Sequence, residues 1–161
     1  MSERGLKIIM FSTVRYFIKT SIMFLMLGLL TGLYMLFTKT YLNLWPNPEM
    51  VSAHTHVIVS GSIMMMIMGV ALWFFPRPEK TDSLYKHEFI LISYYLMTVS
   101  TFIRFLSQIL LSFVQPNELL KFLSFVSALG QILGMIIFFV SMWGRIRSVG
   151  SHIREAKGEK F

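Results

Sequence analysis

The run MVSAHTHVIVSGSIMMMIMGVALWFFP, residues 50–76, carries no charge over 27 positions and is bracketed by Glu49 and Arg77. A helix needs about 20 apolar residues to cross the ~30 Å hydrocarbon layer of a bilayer. Lipid offers no partner to an open backbone N–H or C=O, so such a run crosses as a helix. Three further stretches flank it. Residues 20–38 are uncharged between Lys19 and Lys39, residues 89–117 hold Arg104 alone, and residues 122–144 are uncharged between Lys121 and Arg145. The sequence therefore predicts an all-α membrane protein, a four-transmembrane-helix bundle. It forms one domain over 1–161, with spans at about 20–38, 50–76, 89–114 and 119–144 and a polar tail at 150–161.

Composition agrees. The chain is 55% hydrophobic and only 14% charged, against roughly a quarter charged in soluble domains. That excludes a soluble globular domain and a disordered chain. The absence of cysteine excludes a disulfide scaffold, thiolate metal sites and redox dithiols. Helix-end signals are also in place. Asn47-Pro48-Glu49 and Pro116-Asn117-Glu118 each combine a capping Asn, a proline and a carboxylate on the positive dipole end. Pro76-Arg77-Pro78 reads as the stop of the second span.

Orientation follows from the basic residues. Arg4, Lys7, Arg15 and Lys19 precede the first span, and Arg77, Lys80 and Lys86 lie between the second and third. Arg145, Arg147, Arg154, Lys157 and Lys160 follow the fourth. The opposite side has Lys39 and Lys121. The positive-inside rule then places both termini in the cytoplasm, with the chain expected in a bacterial or archaeal inner membrane. Trp45, Trp73 and Trp143 fall near span ends, as an aromatic belt does. The net charge of +7 is split among loops, so it reads as topology and attraction to anionic lipid, with no nucleic acid partner. Residues 6–19 mix apolar and basic side chains and are expected to lie in the interface before the first span. No small-residue cleavage site follows the first apolar stretch, so no cleavable signal is expected.

Of the four histidines, His87 and His152 read as solvated loop residues, whereas His54 and His56 sit about one turn inside the second span. Ionisable groups at that depth are costly and usually have a partner or a function. The plain alternative is a hydrogen bond across helices near the headgroups. At about 100° per residue, His54, Gly61, Met65 and Gly69 fall on one stripe. A flat macrocycle held by a helix His needs nearby backbone with little side chain in the way. Gly61 and Gly69 are expected to give that opening, and Met65 to pack on a ring edge. Close helix packing through small residues accounts for the same glycines. His56 points about 200° away and is the runner-up ligand. The run Met64-Met65-Met66 with Met68 reads chiefly as flexible apolar packing. Gly130 and Gly134 form a small-xxx-small pair expected at a close helix crossing, including one with another subunit.

Ala53-His54-Thr55-His56-Val57, followed by Gly61 and by Gly69 through Pro76, resembles the second helix of the catalytic subunit of haem-copper oxidases and nitric oxide reductases. In that family this helix runs inward and carries a His ligand to the low-spin haem, which fits the polarity derived from charge. The resemblance covers residues 50–78. It implies one non-covalent haem b with His54 as axial ligand. It also departs from the family, because the later helices that hold the second haem ligand, the high-spin haem and the copper histidines have no counterpart here. Oxygen or nitric oxide reduction at a binuclear centre is therefore not expected. Arg104, with Gln108 one turn on, is expected to meet the haem propionates through the planar guanidinium fork. The alternative has Arg104 reaching the headgroups or pairing with Glu118.

The leading expectation is thus a His-ligated b-type haem protein of the membrane. An open sixth coordination site would bind a diatomic gas, nitric oxide favoured, as sensor or carrier. A sixth ligand from elsewhere would instead make an electron-transfer cytochrome b. A copper- or zinc-binding protein and a purely structural subunit are the other classes, though two His at i and i+2 point apart. An enzyme acting alone is the weakest reading, since the spans hold no paired carboxylates or nucleophile-base pair. A four-helix monomer has little surface with which to enclose a haem, so a homo-oligomer is expected. The topology has a direct check. A fluorescent protein fused after residue 161 should fluoresce, and alkaline phosphatase fused there should be inactive; active phosphatase would reverse the orientation.

Overall fold

With no water to bond in hydrocarbon, each apolar run closes its amides on itself, and helix is the outcome. The computed structural model describes residues 3–75, 87–114 and 117–146, with side chains from Thr13 onward. Over those residues it is all-α and 92% helical. The elements are α1 (Glu3–Tyr41), α2 (Pro48–His56), a π-helical segment (Val57–Met64), α3 (Met65–Phe74), α4 (His87–Phe113) and α5 (Glu118–Met142), which ends in the 3-10 turn Trp143–Arg145. The second span, α2 through α3, is one rod from Pro48 to Phe74, and four helices are long and apolar enough to cross a membrane. The Pro76-Arg77-Pro78 stop, Pro116 and the 150–161 tail lie outside the described residues.

One expectation changes at the start. Residues 6–19 form no separate segment, because α1 runs unbroken through them. No glycine or proline interrupts that stretch. The helix is 39 residues, about 58 Å, well beyond the hydrocarbon thickness. The Asn caps form as read. Asn47 Oδ1 accepts the Glu49 N–H at 2.9 Å, and Asn117 Oδ1 accepts those of Leu119 and Leu120 at 2.9 and 3.4 Å. These Asn residues mark one end of the bundle, called here the capped end.

α1 lies along the second span. Its buried seam is Thr13, Val14, Phe17, Ser21, Phe24 and Gly28, a spacing of three and four that keeps one face toward a neighbouring helix. The second span answers with glycine. A Cβ at Gly61 would sit 2.7 Å from Thr101 Cγ2 and 3.0 Å from the Phe24 ring, and one at Gly69 would sit 3.0 Å from Phe17 Cβ. Met65 is 0% exposed and packs in the core with Phe17 and Phe24. The stripe Gly61–Met65–Gly69 therefore exists, but α1 covers it. The opening expected there for a macrocycle is filled by Phe17, Ile18 and Phe24, and Met65 meets no ring edge at a surface. The physical reason is ordinary: small residues let backbones approach, and dispersion contacts hold them.

Gly130 and Gly134 likewise serve a crossing within the chain. Gly130 sits under Ser100 and Gly134 under Met97, while Ser93 Oγ donates to the Gly134 carbonyl at 2.8 Å. The α4–α5 pairing is the broadest helix contact, and no comparable contact joins α5 to the second span. The far end is tied separately. Phe17 meets Tyr94 and Phe138 edge-on at 5.2 and 5.9 Å. Arg145, 1% exposed, donates to the carbonyls of Leu72 at 3.3 Å and Phe75 at 3.2 Å. Carbonyls in a last helical turn have no intrahelical partner and carry the negative dipole end, so a guanidinium suits them. At the far end α5 is thus joined to the second span through Arg145, and elsewhere the two share no broad contact.

Replacing Gly61 with Val should lower stability by about 1–3 kcal/mol, the usual cost of overpacking. Thermal unfolding in detergent measures it. An unchanged midpoint would mean that neither Thr101 of α4 nor Phe24 of α1 closes on that face.

Candidate functional site

The two span histidines have different surroundings. His54 Nδ1 lies 2.9 Å from the Gly28 carbonyl. A carbonyl only accepts, so Nδ1 carries the proton and Nε2 the lone pair. The ring rests on α1, where a Cβ at Gly32 would fall 2.8 Å from His54 Cε1. Gly28 and Gly32, four apart, make the seat. Their spacing is visible in the sequence as a small-xxx-small signal, which the sequence reading passed over in the first span. The interhelical hydrogen bond, weighed above as the plain alternative for these histidines, is what His54 makes.

His56 faces the other way and is half-buried. The π-helical segment begins at the next residue, Val57. Such wide turns are rare and recur at functional sites. Here the turn widens over Ser60, Gly61 and Ser62, three consecutive buried small residues. It packs where Gly28 makes room, since a Cβ at Gly28 would strike Ile58.

A polar cluster lies on the His56 side. Gln108 Nε2 donates to Ser52 Oγ at 2.8 Å, linking α4 to α2. Arg104 Nη1 donates to Gln131 Oε1 at 2.9 Å, and Gln131 Nε2 donates to Thr101 Oγ1 at 2.9 Å, linking α4 to α5. Gln108 and Gln131 are 6% and 3% exposed. Three buried polar atoms here have no partner: Arg104 Nε, Gln108 Oε1 and Ser124 Oγ. Glu118, the alternative partner for Arg104, is paired with Lys121 at 2.7 Å. The guanidinium is thus held by a neutral amide. An interhelical hydrogen bond in a membrane averages about 0.6 kcal/mol, and an Arg at the centre of a span costs about 3 kcal/mol on the mildest scale. The observed bonds do not cover that cost.

The expected site is therefore divided. Arg104 and Gln108 were expected to serve a cofactor on His54, yet Gln108 bonds Ser52, which lies on the other face of the second span, and Arg104 one turn away bonds Gln131. The reason is helical geometry: residues 52 and 56 share a face, and 54 does not. Among the described residues no three His, Cys, Asp or Glu come together as a metal site. An open pocket of about 280 Å³ near the capped end is lined by Leu30, Tyr34, Met50, Phe105, Ile109 and neighbours, and is apolar.

No protein-family profile, curated protein or solved structure matches the chain.

The uncompensated charge has a test. Gln131→Leu should cost about 1–3 kcal/mol by stranding Arg104 and Thr101. Gln131→Glu should raise the unfolding midpoint by giving Arg104 a carboxylate. A Glu variant as unstable as the Leu variant would show that the charge is already balanced.

Proposed function

We propose that the protein is a b-type haem protein embedded in a bacterial or archaeal inner membrane, with one axial imidazole per chain. The cofactor docks on the α4 side of the second span. His56 is the ligand, and Arg104 and Gln108 face the propionates. The observation that carries the reading is the Arg104 guanidinium, with a buried, unbonded Nε and no carboxylate partner among the described residues, one turn from Gln108, which bonds Ser52 on the helix face that half-buried His56 shares. A propionate is the planar carboxylate that such a fork accepts. The donor chemistry on this side fits the group. The Gly61–Gly69 face is closed by Phe17, Ile18 and Phe24 of α1 and Thr101 of α4.

When bound through one imidazole, haem supplies an open coordination site for a diatomic gas, and nitric oxide is favoured by the likeness of residues 50–78 to the reductase helix. The chain's own residues set the rest. His56 fixes the iron's depth, and Arg104 anchors the polar edge. A homo-oligomer encloses the exposed side of the ring. If a second chain supplies the sixth ligand, the same site carries electrons.

A second reading keeps His54 as ligand. Its Nδ1 bond to the Gly28 carbonyl leaves Nε2 available, and such carbonyl bonds commonly orient ligating histidines. The copper or zinc reading has less support, because among the described residues no three His, Cys, Asp or Glu come together.

The test is optical. Chain purified from haem-supplied cells should show a Soret band that shifts with carbon monoxide. His56→Ala should lose most of the haem, Arg104→Leu should retain about a tenth or less, as expected for a loss near 1.4 kcal/mol or more, and His54→Ala should stay red. A colourless protein overturns the proposal. Loss confined to His54→Ala selects the second reading.

A further inference from the structure

The polar atoms left open between α2, α4 and α5 point beyond any cofactor. Arg104 Nε and Ser124 Oγ are donors, Gln108 Oε1 is an acceptor, and all three are buried without a partner. They lie close in depth. The antiparallel register sets Gly130 against Ser100 and Gly134 against Met97. Six residues toward the capped end from each of 130 and 100 bring Ser124 to the level of residue 106, within about a turn of both Arg104 and Gln108. Gln108, 6% exposed, also reaches Ser52, the fifth residue of α2 from the capped end. Ser107 and Ser127, buried at 3% and 5%, stand in the same stretch.

Each open group in an apolar surround costs about 1–3 kcal/mol. Lipid tails offer nothing to bond. Water does, and a buried water settles where two to four polar groups converge. The seam has a floor as well. Level with Gln131 and Thr101 the α4–α5 crossing tightens at Ser100 on Gly130, and one turn deeper come Met97 on Gly134 and the aromatic core around Phe17 and Phe138.

We propose that the α2–α4–α5 seam is a hydrated half-channel. It opens at the capped end, holds water on Arg104, Gln108 and Ser124, and ends at Gln131 and Thr101. Its water solvates the guanidinium and lets protons and small ions exchange between the aqueous phase and the His56 side of the second span. It does not rest on a cofactor at His56; propionates docked on Arg104 and Gln108 would replace the water at those two groups and leave the rest of the seam hydrated.

The chain has no native cysteine, so single-Cys variants report cleanly. Ser124→Cys and Thr101→Cys, in lipid nanodiscs, are exposed to silver ion, a small water-borne probe. Residual thiol is then alkylated in denaturant and counted. Val126→Cys and Ile132→Cys, at 45% and 54% exposed on the outside of α5, are the lipid-facing controls. Both seam thiols should react about tenfold faster than the controls, as expected for a water-lined position against one reached only by local opening. Equal rates overturn the proposal. Hydroxyl-radical footprinting of the unaltered chain guards against misfolded variants. His56 should be oxidised while the fully buried Met65 and Met68 are spared, and an unmodified His56 also overturns it.

Discussion

A guanidinium inside an apolar span, answered by an amide and not by a carboxylate, is the constraint on which the rest of this structure turns. Arg104 could be traded for Leu by a chain that needed only to span a membrane. Its retention costs several kcal/mol in hydrocarbon. Gln131 and Thr101 return part of that through two bonds of 2.9 Å. What remains must come from something that meets Arg104 Nε: water, an anionic group of a cofactor, or both at different positions. Gln108 with its bond to Ser52, and the π-helical segment that packs on α4, lie along the same stretch of α4 as this one charge.

The glycines do a different job. Gly28 and Gly32 admit the π turn and the His54 ring; Gly61 and Gly69 admit Phe24 and Phe17; Gly130 and Gly134 admit Ser100 and Met97. Two close crossings follow, α1 on the second span and α4 on α5. They form two helix pairs joined where α2 meets α4, and Arg145 clamps the far end by bonding the final carbonyls of the second span. With α5 tied to the second span at that end and sharing no broad contact with it elsewhere, polar side chains gather on α4 between the two.

Most of the architecture was legible in the sequence. Span count, the Asn47 and Asn117 caps and the stripe through Gly61 and Gly69 follow from charge spacing and helical period, which are local properties. The length of α1 was misread because a basic, apolar stretch is compatible with either an interfacial or a continuing helix. The occupant of the glycine stripe was not legible, since a bare face looks the same whether a ring or another helix covers it. Phe17 and Phe24, spaced to fit it, are ordinary apolar residues until the pairing is known. The division of His54 from Arg104 was present in the two-residue offset between His54 and His56. Which face looks at α4, however, depends on tertiary packing. The π segment left no periodic signal beyond the short Ser60-Gly61-Ser62 run.

The central claim is that iron sits on the α4 side of the second span. Diffraction from crystals of the purified protein at the iron absorption edge tests it most directly. The account predicts one anomalous peak per chain at bonding distance from a His56 ring nitrogen, with α1 still seated on Gly61 and Gly69. A peak at His54, or crystals of well-folded protein with no iron peak, would contradict it.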